Sequence, residues 1–155
     1  MTCKPFHALA LTVLMTSSAL VVAANDGQAR VNGLLSADPA YRQTWSEVVK
    51  KEERLPDWVI NLSGSSEQMN AVTEDGDGYL VGPLCETQDT CINKRLIVAF
   101  SLDKKEAYGM LVEVPAGLPA DKSPTRHADY RFLGKPDEGM QGLLREQLKK
   151  DPNWY

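Results

Sequence analysis

Between Lys94 and Leu102 the chain carries Leu96-Ile97-Val98-Ala99-Phe100, five apolar residues in succession. Successive residues of a strand point to opposite faces, so an unbroken apolar run suits a central strand covered on both sides. A fold built on such a strand needs apolar layers above and below it. Two stretches have the helical period. Asp38 can cap the first and Pro39 suits its first position. Tyr41, Trp45, Val48 and Val49 then share one face, and the solvated run Lys50-Lys51-Glu52-Glu53-Arg54 ends it. The second follows Gly134-Lys135-Pro136-Asp137-Glu138, with Met140, Leu143, Leu144 and Leu148 as its apolar stripe. Glu138 near its start and Lys149 and Lys150 at its end match the helix dipole.

Shorter segments fill in the rest. Asn25 to Ser36 reads as a loose polar leader, and Leu55-Pro56-Asp57-Trp58-Val59-Ile60 as one more short helix burying Trp58. Met69, Ala71 and Thr73 alternate with polar or small neighbours, as in a half-buried strand. Asp75-Gly76-Asp77-Gly78 is a turn whose residues tolerate positive φ. It lacks the later acidic ligand of a calcium loop. Tyr79-Leu80-Val81 returns and runs through Gly82-Pro83-Leu84 to Cys85. Asp103-Lys104-Lys105-Glu106 is a hairpin turn, Tyr108 to Val114 a strand, Ala116 to Ser123 a loop, and Tyr130 to Leu133 a last short strand. The expected fold class is α+β: a central antiparallel sheet of about five strands flanked by helices on both faces.

The start of the chain is an address. Lys4 gives a basic beginning, Ala8 to Leu20 is mostly apolar, and Val21-Val22-Ala23-Ala24 supplies small residues at a cleavage point. That pattern is a secretory signal peptide over residues 1–24, leaving a domain over 25–155. The run is short of the roughly 20 apolar residues a spanning helix needs, so no membrane contact is expected after cleavage. Cleavage leaves 131 residues with 16 basic against 21 acidic, a net charge of −5. An acidic chain without a basic block is no nucleic-acid binder, but it suits a basic partner, because opposite charge speeds encounter.

Cleavage also leaves two cysteines, Cys85 and Cys91, and one histidine, His127. An even cysteine pair in an exported chain reads as a disulfide. A zinc site needs about four ligands, which this set cannot supply, so neither metal nor cofactor is expected. Hydrolysis by a nucleophile needs a base beside Ser or Cys, and only His127, with Ser123 nearby in sequence, offers one. No phosphate-binding glycine loop or metal-ligand spacing is present. An enzyme is therefore disfavoured. What remains is the loop Cys85-Glu86-Thr87-Gln88-Asp89-Thr90-Cys91 between two strands. Either it is a stiff finger that enters a partner's cleft, or the bond simply staples two strand ends. A pre-ordered finger loses less entropy on binding.

Leu55-Pro56-Asp57-Trp58-Val59, the strand pair, Cys85 to Cys91, Lys94-Arg95-Leu96-Ile97-Val98 and the ending Asp151-Pro152-Asn153-Trp154-Tyr155 occur in that order. In this order and spacing the chain resembles the Ivy family, inhibitors of vertebrate lysozyme, from about Tyr41 to Tyr155. The resemblance implies a periplasmic protein of a Gram-negative bacterium that blocks c-type lysozyme by pushing the Cys-bounded loop into the catalytic cleft. It also implies a homodimer in some members. A peptidoglycan-cleaving transglycosylase of the cell itself is a second candidate partner. The family loop is Cys-Lys-Pro-His-Asp-Cys. Here Cys85, Asp89 and Cys91 match it, Gln88 stands in place of the His, Glu86 of the Lys and Thr87 of the Pro, and Thr90 is extra. An imidazolium can pair with the ionised carboxylate of a lysozyme cleft, whereas Gln88 offers only a neutral amide. The substitution implies weakened or altered inhibition.

Overall fold

In a computed structural model of the protein, residues 29–155 are described. The signal-peptide reading of residues 1–24 lies outside them. The elements run α1 (Val31–Ala37), α2 (Pro39–Val49), α3 (Asp57–Ile60), β1 (Ser65–Ser66), β2 (Asn70–Glu74), β3 (Asp77–Cys85), β4 (Lys94–Ser101), β5 (Ala107–Glu113), α4 (Pro124–His127), β6 (Asp129–Leu133) and α5 (Glu138–Leu148). The strands form one antiparallel sheet in the order β1-β3-β4-β5-β6, with β2 also paired to β3. The sixth strand, beyond the five or so expected, is the two-residue β1.

The apolar run of β4 does what its pattern requires. Leu96, Val98 and Phe100 face one cluster with Tyr41, Trp45, Trp58 and Val59, whereas Ile97 and Ala99 face another with Met140, Leu144, Leu148 and Trp154. So α1, α2 and α3 cover one face and α5 with the chain end covers the other. Trp45 is the anchor of the first layer. It is 1% exposed, lies 5.9 Å from the Phe100 ring centroid, and donates its indole N–H to the Val59 carbonyl at 3.0 Å. Tyr41 meets the same phenyl ring edge-on at 5.2 Å. Asp38 caps α2 as expected, accepting from the Ala40 amide, and Asp137 caps α5, accepting from the Met140 amide.

The β2–β3 hairpin closes with Asp75 at φ 49° and Gly76 at φ 86° between the paired residues Glu74 and Asp77. Two positive φ values in a two-residue loop make the turn whose twist matches the strands. Along the same edge, β2 pairs with β3 as far as Val81 and β1 takes over at Leu84. Pro83, which has no N–H to donate, falls in that gap. Gly82 is there for space, because a Cβ would stand 2.7 Å from Cγ of the buried Met69.

One sequence expectation is overturned. The stretch read as a loose leader to Ser36 contains α1, whose Val31 and Leu34 are buried in the first cluster. Asn32 and Gly33 are poor helix formers, and the helix draws its stability from that burial and from tertiary hydrogen bonds. The Asn32 side-chain amide donates to the Gly64 carbonyl at 2.9 Å, and Arg30 donates to the Ser66 carbonyl at 2.7 Å.

Candidate functional site

Strands β3 and β4 pair up to Cys85 opposite Arg95, and the chain between them projects from that end of the sheet. A disulfide joins Cys85 and Cys91, with Cα atoms 5.0 Å apart. Cys85 is buried at the end of β3 and Cys91 is half-buried. Glu86, Thr87, Gln88 and Asp89 are exposed, and Thr90 is half-buried. The loop has an internal frame besides its bridge. The Thr87 amide donates to Thr90 Oγ1 at 3.0 Å, and the Thr90 amide to the Thr87 carbonyl at 3.2 Å. The Thr90 carbonyl then accepts from the amides of Asn93 and Lys94, at 3.0 and 2.8 Å. Thr90 is thus the pivot of this loop's own fold.

Charge at the tip is mixed but mainly acidic. Glu86 and Asp89 carry negative charge, and Lys94 approaches Glu86 at 3.9 Å on an open surface, where such a pair contributes little. Gln88 lines a groove of about 570 Å³ together with Cys91, Arg95, Asp151 and Asn153. Arg95 is only 3% exposed. Its Nε donates to the Cys91 carbonyl at 2.8 Å, one Nη to Asp151 at 2.7 Å, and its guanidinium lies 5.3 Å from the Trp154 ring centroid. Burial pulls its pKa below the ordinary value, against the opposing effect of Asp151. Sequence reading took Arg95 and the chain end only as parts of a family pattern. A cation flanking an apolar strand was the signal available, but its partner lies 56 positions away.

The root of the loop also depends on Gly64. A Cβ there would lie 2.1 Å from the Cys85 carbonyl oxygen. Backbone cannot yield as a flexible side chain can, so Gly64→Ala is expected to destabilise the fold by about 1–3 kcal/mol. A denaturant titration reads this directly, and a loss below about 0.5 kcal/mol would mean the contact relaxes at almost no cost.

The nucleophile-and-base arrangement considered for His127 is not formed. The imidazole Nδ1 meets the carbonyl of Ser123 at 3.0 Å, while the Ser123 hydroxyl pairs with Thr125. Among the described residues, no group of three or more His, Cys, Asp and Glu is placed to hold a metal ion. Among them too, no helix is long and apolar enough to cross a membrane.

Fold and site together define a class: small α+β proteins that present one disulfide-closed loop from the central hairpin of an antiparallel sheet. The family described as "Inhibitor of vertebrate lysozyme (Ivy)" matches residues 40–150, and the chain belongs to it. An uncharacterised protein of Pseudomonas aeruginosa is 55% identical over 147 residues, 94% of each chain. The protein named "Inhibitor of vertebrate lysozyme" in the same organism is 38% identical over 122 residues, 77% of this chain and 78% of its own. An uncharacterised protein of Yersinia pestis is 39% identical over 120 residues, 77% of each chain. The family is one of inhibitors and not of enzymes.

Proposed function

We propose that this chain is a periplasmic inhibitor of c-type lysozyme, which inserts loop 85–91 into the muramidase cleft and so protects peptidoglycan. The observation that carries the reading is the loop itself. Its tip, Glu86 to Asp89, is exposed, while the bridge and the Thr87–Thr90 hydrogen bonds order it before any contact. Binding then costs little conformational entropy. The signal peptide 1–24 delivers the domain 25–155 to the periplasm, and the net charge of −5 steers it toward basic lysozymes. Gln88 and Glu86 make the final locking weaker than in His-bearing members of the family, and a homodimer remains an expectation drawn from the family.

A second reading rests on the same two residues. With no imidazole and an added carboxylate at the tip, the loop suits a partner other than lysozyme. The chain would then be a non-inhibitory Ivy-like envelope protein that binds a lytic transglycosylase or another cell-wall partner. A pull-down with several c-type lysozymes, followed by a cell-wall lysis assay, separates the two. Capture with inhibition supports the first reading. Capture without inhibition, or no capture, supports the second.

A further inference from the structure

We infer that Arg95 is the positioning residue of loop 85–91, and that Asp151 and Trp154 at the chain end belong to the same device. The inference rests on the reading that this loop is what meets the partner. Arg95 stands opposite Cys85 in the β3–β4 register, at the loop's root. Its Nε nevertheless reaches across to the carbonyl of Cys91, the loop's returning end, while the other arm of the guanidinium holds Asp151. The Trp154 ring lies within cation–π distance of the guanidinium, and Trp154 itself is packed in the α5-side cluster.

Holding two strand ends together does not need this arrangement. Burying a full charge is expensive even when it is paired, and an apolar side chain of similar shape generally packs as well or better. What the guanidinium adds is direction, since its planar fork fixes two acceptors at once. The disulfide fastens the Cys91 sulfur to Cys85, and Arg95 fastens the Cys91 carbonyl to the chain end. The bridge and the Thr90 hydrogen bonds all lie within the loop and its root; the bond from Arg95 adds a tether from the loop to the chain end that limits its swing. The roughly 570 Å³ groove, lined by Gln88 of the loop and by Asp151 and Asn153 of the chain end, gives a released loop room to turn. Arg95 thus holds the finger out, away from the chain end.

The test uses the mature chain with its disulfide intact and compares Arg95→Met, Arg95→Lys and Asp151→Asn with the parent. Asp151→Asn keeps an oxygen for the Asn153 amide that Asp151 now accepts, and it sits on an accessible surface. It therefore carries the test if Arg95→Met does not fold. The first measurement is amide hydrogen exchange at Asn93 and Lys94, whose N–H groups both bond to the Thr90 carbonyl, in the absence of any partner. Arg95→Met and Asp151→Asn are expected to exchange at least tenfold faster there, with amides in the middle of β4 unchanged. Arg95→Lys, with an ammonium in place of the fork, is expected to fall between them and the parent. The second measurement is the association rate with a c-type lysozyme, expected to fall about tenfold as the binding-competent pose becomes rarer. Exchange within twofold of the parent in both Arg95→Met and Asp151→Asn overturns the proposal. If the parent binds no lysozyme, the lysozyme reading fails, and the exchange measurement still decides the role of Arg95.

Discussion

Rebuilding the loop tip in the His-bearing form is expected to strengthen inhibition of c-type lysozyme about tenfold or more. A hydrogen bond to a charged group contributes about 1.5–3 kcal/mol where a neutral one gives about 0.5–1.5, and each 1.4 kcal/mol is a factor of about ten in affinity. Gln88→His replaces a neutral amide by an imidazole that can carry charge. Glu86→Lys removes a carboxylate that would otherwise approach an acidic cleft. Two designs separate chemistry from length. The double variant Glu86→Lys/Gln88→His keeps all seven residues and with them the Thr87–Thr90 hydrogen bonds. Replacing residues 86–90 by Lys-Pro-His-Asp shortens the loop and discards Thr90, whose carbonyl anchors Asn93 and Lys94. A gain in both variants, read as the inhibition constant in a cell-wall lysis assay, assigns the weakness to tip chemistry. A gain only in the short loop assigns it to the loop's length and to Thr90. No gain in either counts against loop insertion as the means of inhibition.

The largest loss of stability is expected from Trp45→Ala. Trp45 is almost wholly buried, packs at a tilt against Phe100 near the end of β4, and its indole N–H donates to the Val59 carbonyl. Truncation removes a large apolar area, leaves a cavity between α2 and the sheet, and leaves the Val59 carbonyl to its longer, 3.4 Å bond from the Leu62 amide. Such changes cost about 3–5 kcal/mol, a large part of the roughly 5–15 kcal/mol that holds a domain of this size. The shift in urea midpoint at unchanged slope measures it. A loss under about 1.5 kcal/mol would mean that the first layer collapses onto the gap, and that α2 packs on the sheet less tightly than its burial implies.

Much of this fold is legible because its decisive signals are local. The apolar run of β4 needs two faces covered, and the 3.6-residue stripes of α2 and α5 are the covers. Asp38 and Pro39 mark the start of α2, and Glu138 that of α5, by chemistry confined to one turn. The bridge follows from the even cysteine count left when the chain is read as exported and cleaved. What stays hidden is long-range. Helix α1 mixes the good formers Leu34, Leu35 and Ala37 with the poor ones Asn32, Gly33 and Ser36, so its composition gives no clear signal; Val31 and Leu34 are held in place because a layer built far along the chain receives them. Strand β1 has two residues and exists by pairing with Leu84 and Cys85. Its separation from β2 is set by Met69 lying over Gly82. The loop residues of the candidate site can be named from sequence, but their support cannot. Gly64 meets Cys85 across 21 positions and Arg95 meets Asp151 across 56, separations that no window of neighbouring residues can reveal.

The account as a whole depends on the ring between Cys85 and Cys91 being stiff before it meets anything. A loop of that length restricts the unfolded chain by roughly 2–3 kcal/mol, so its opening should leave a weakened but folded protein. The deciding measurement is capture of a c-type lysozyme by the Cys85→Ser/Cys91→Ser protein, with circular dichroism confirming its fold. The expected result is loss of capture while the sheet and helices persist. Undiminished capture by the folded, unbridged protein would contradict the account and leave the bond as no more than a clasp between β3 and β4.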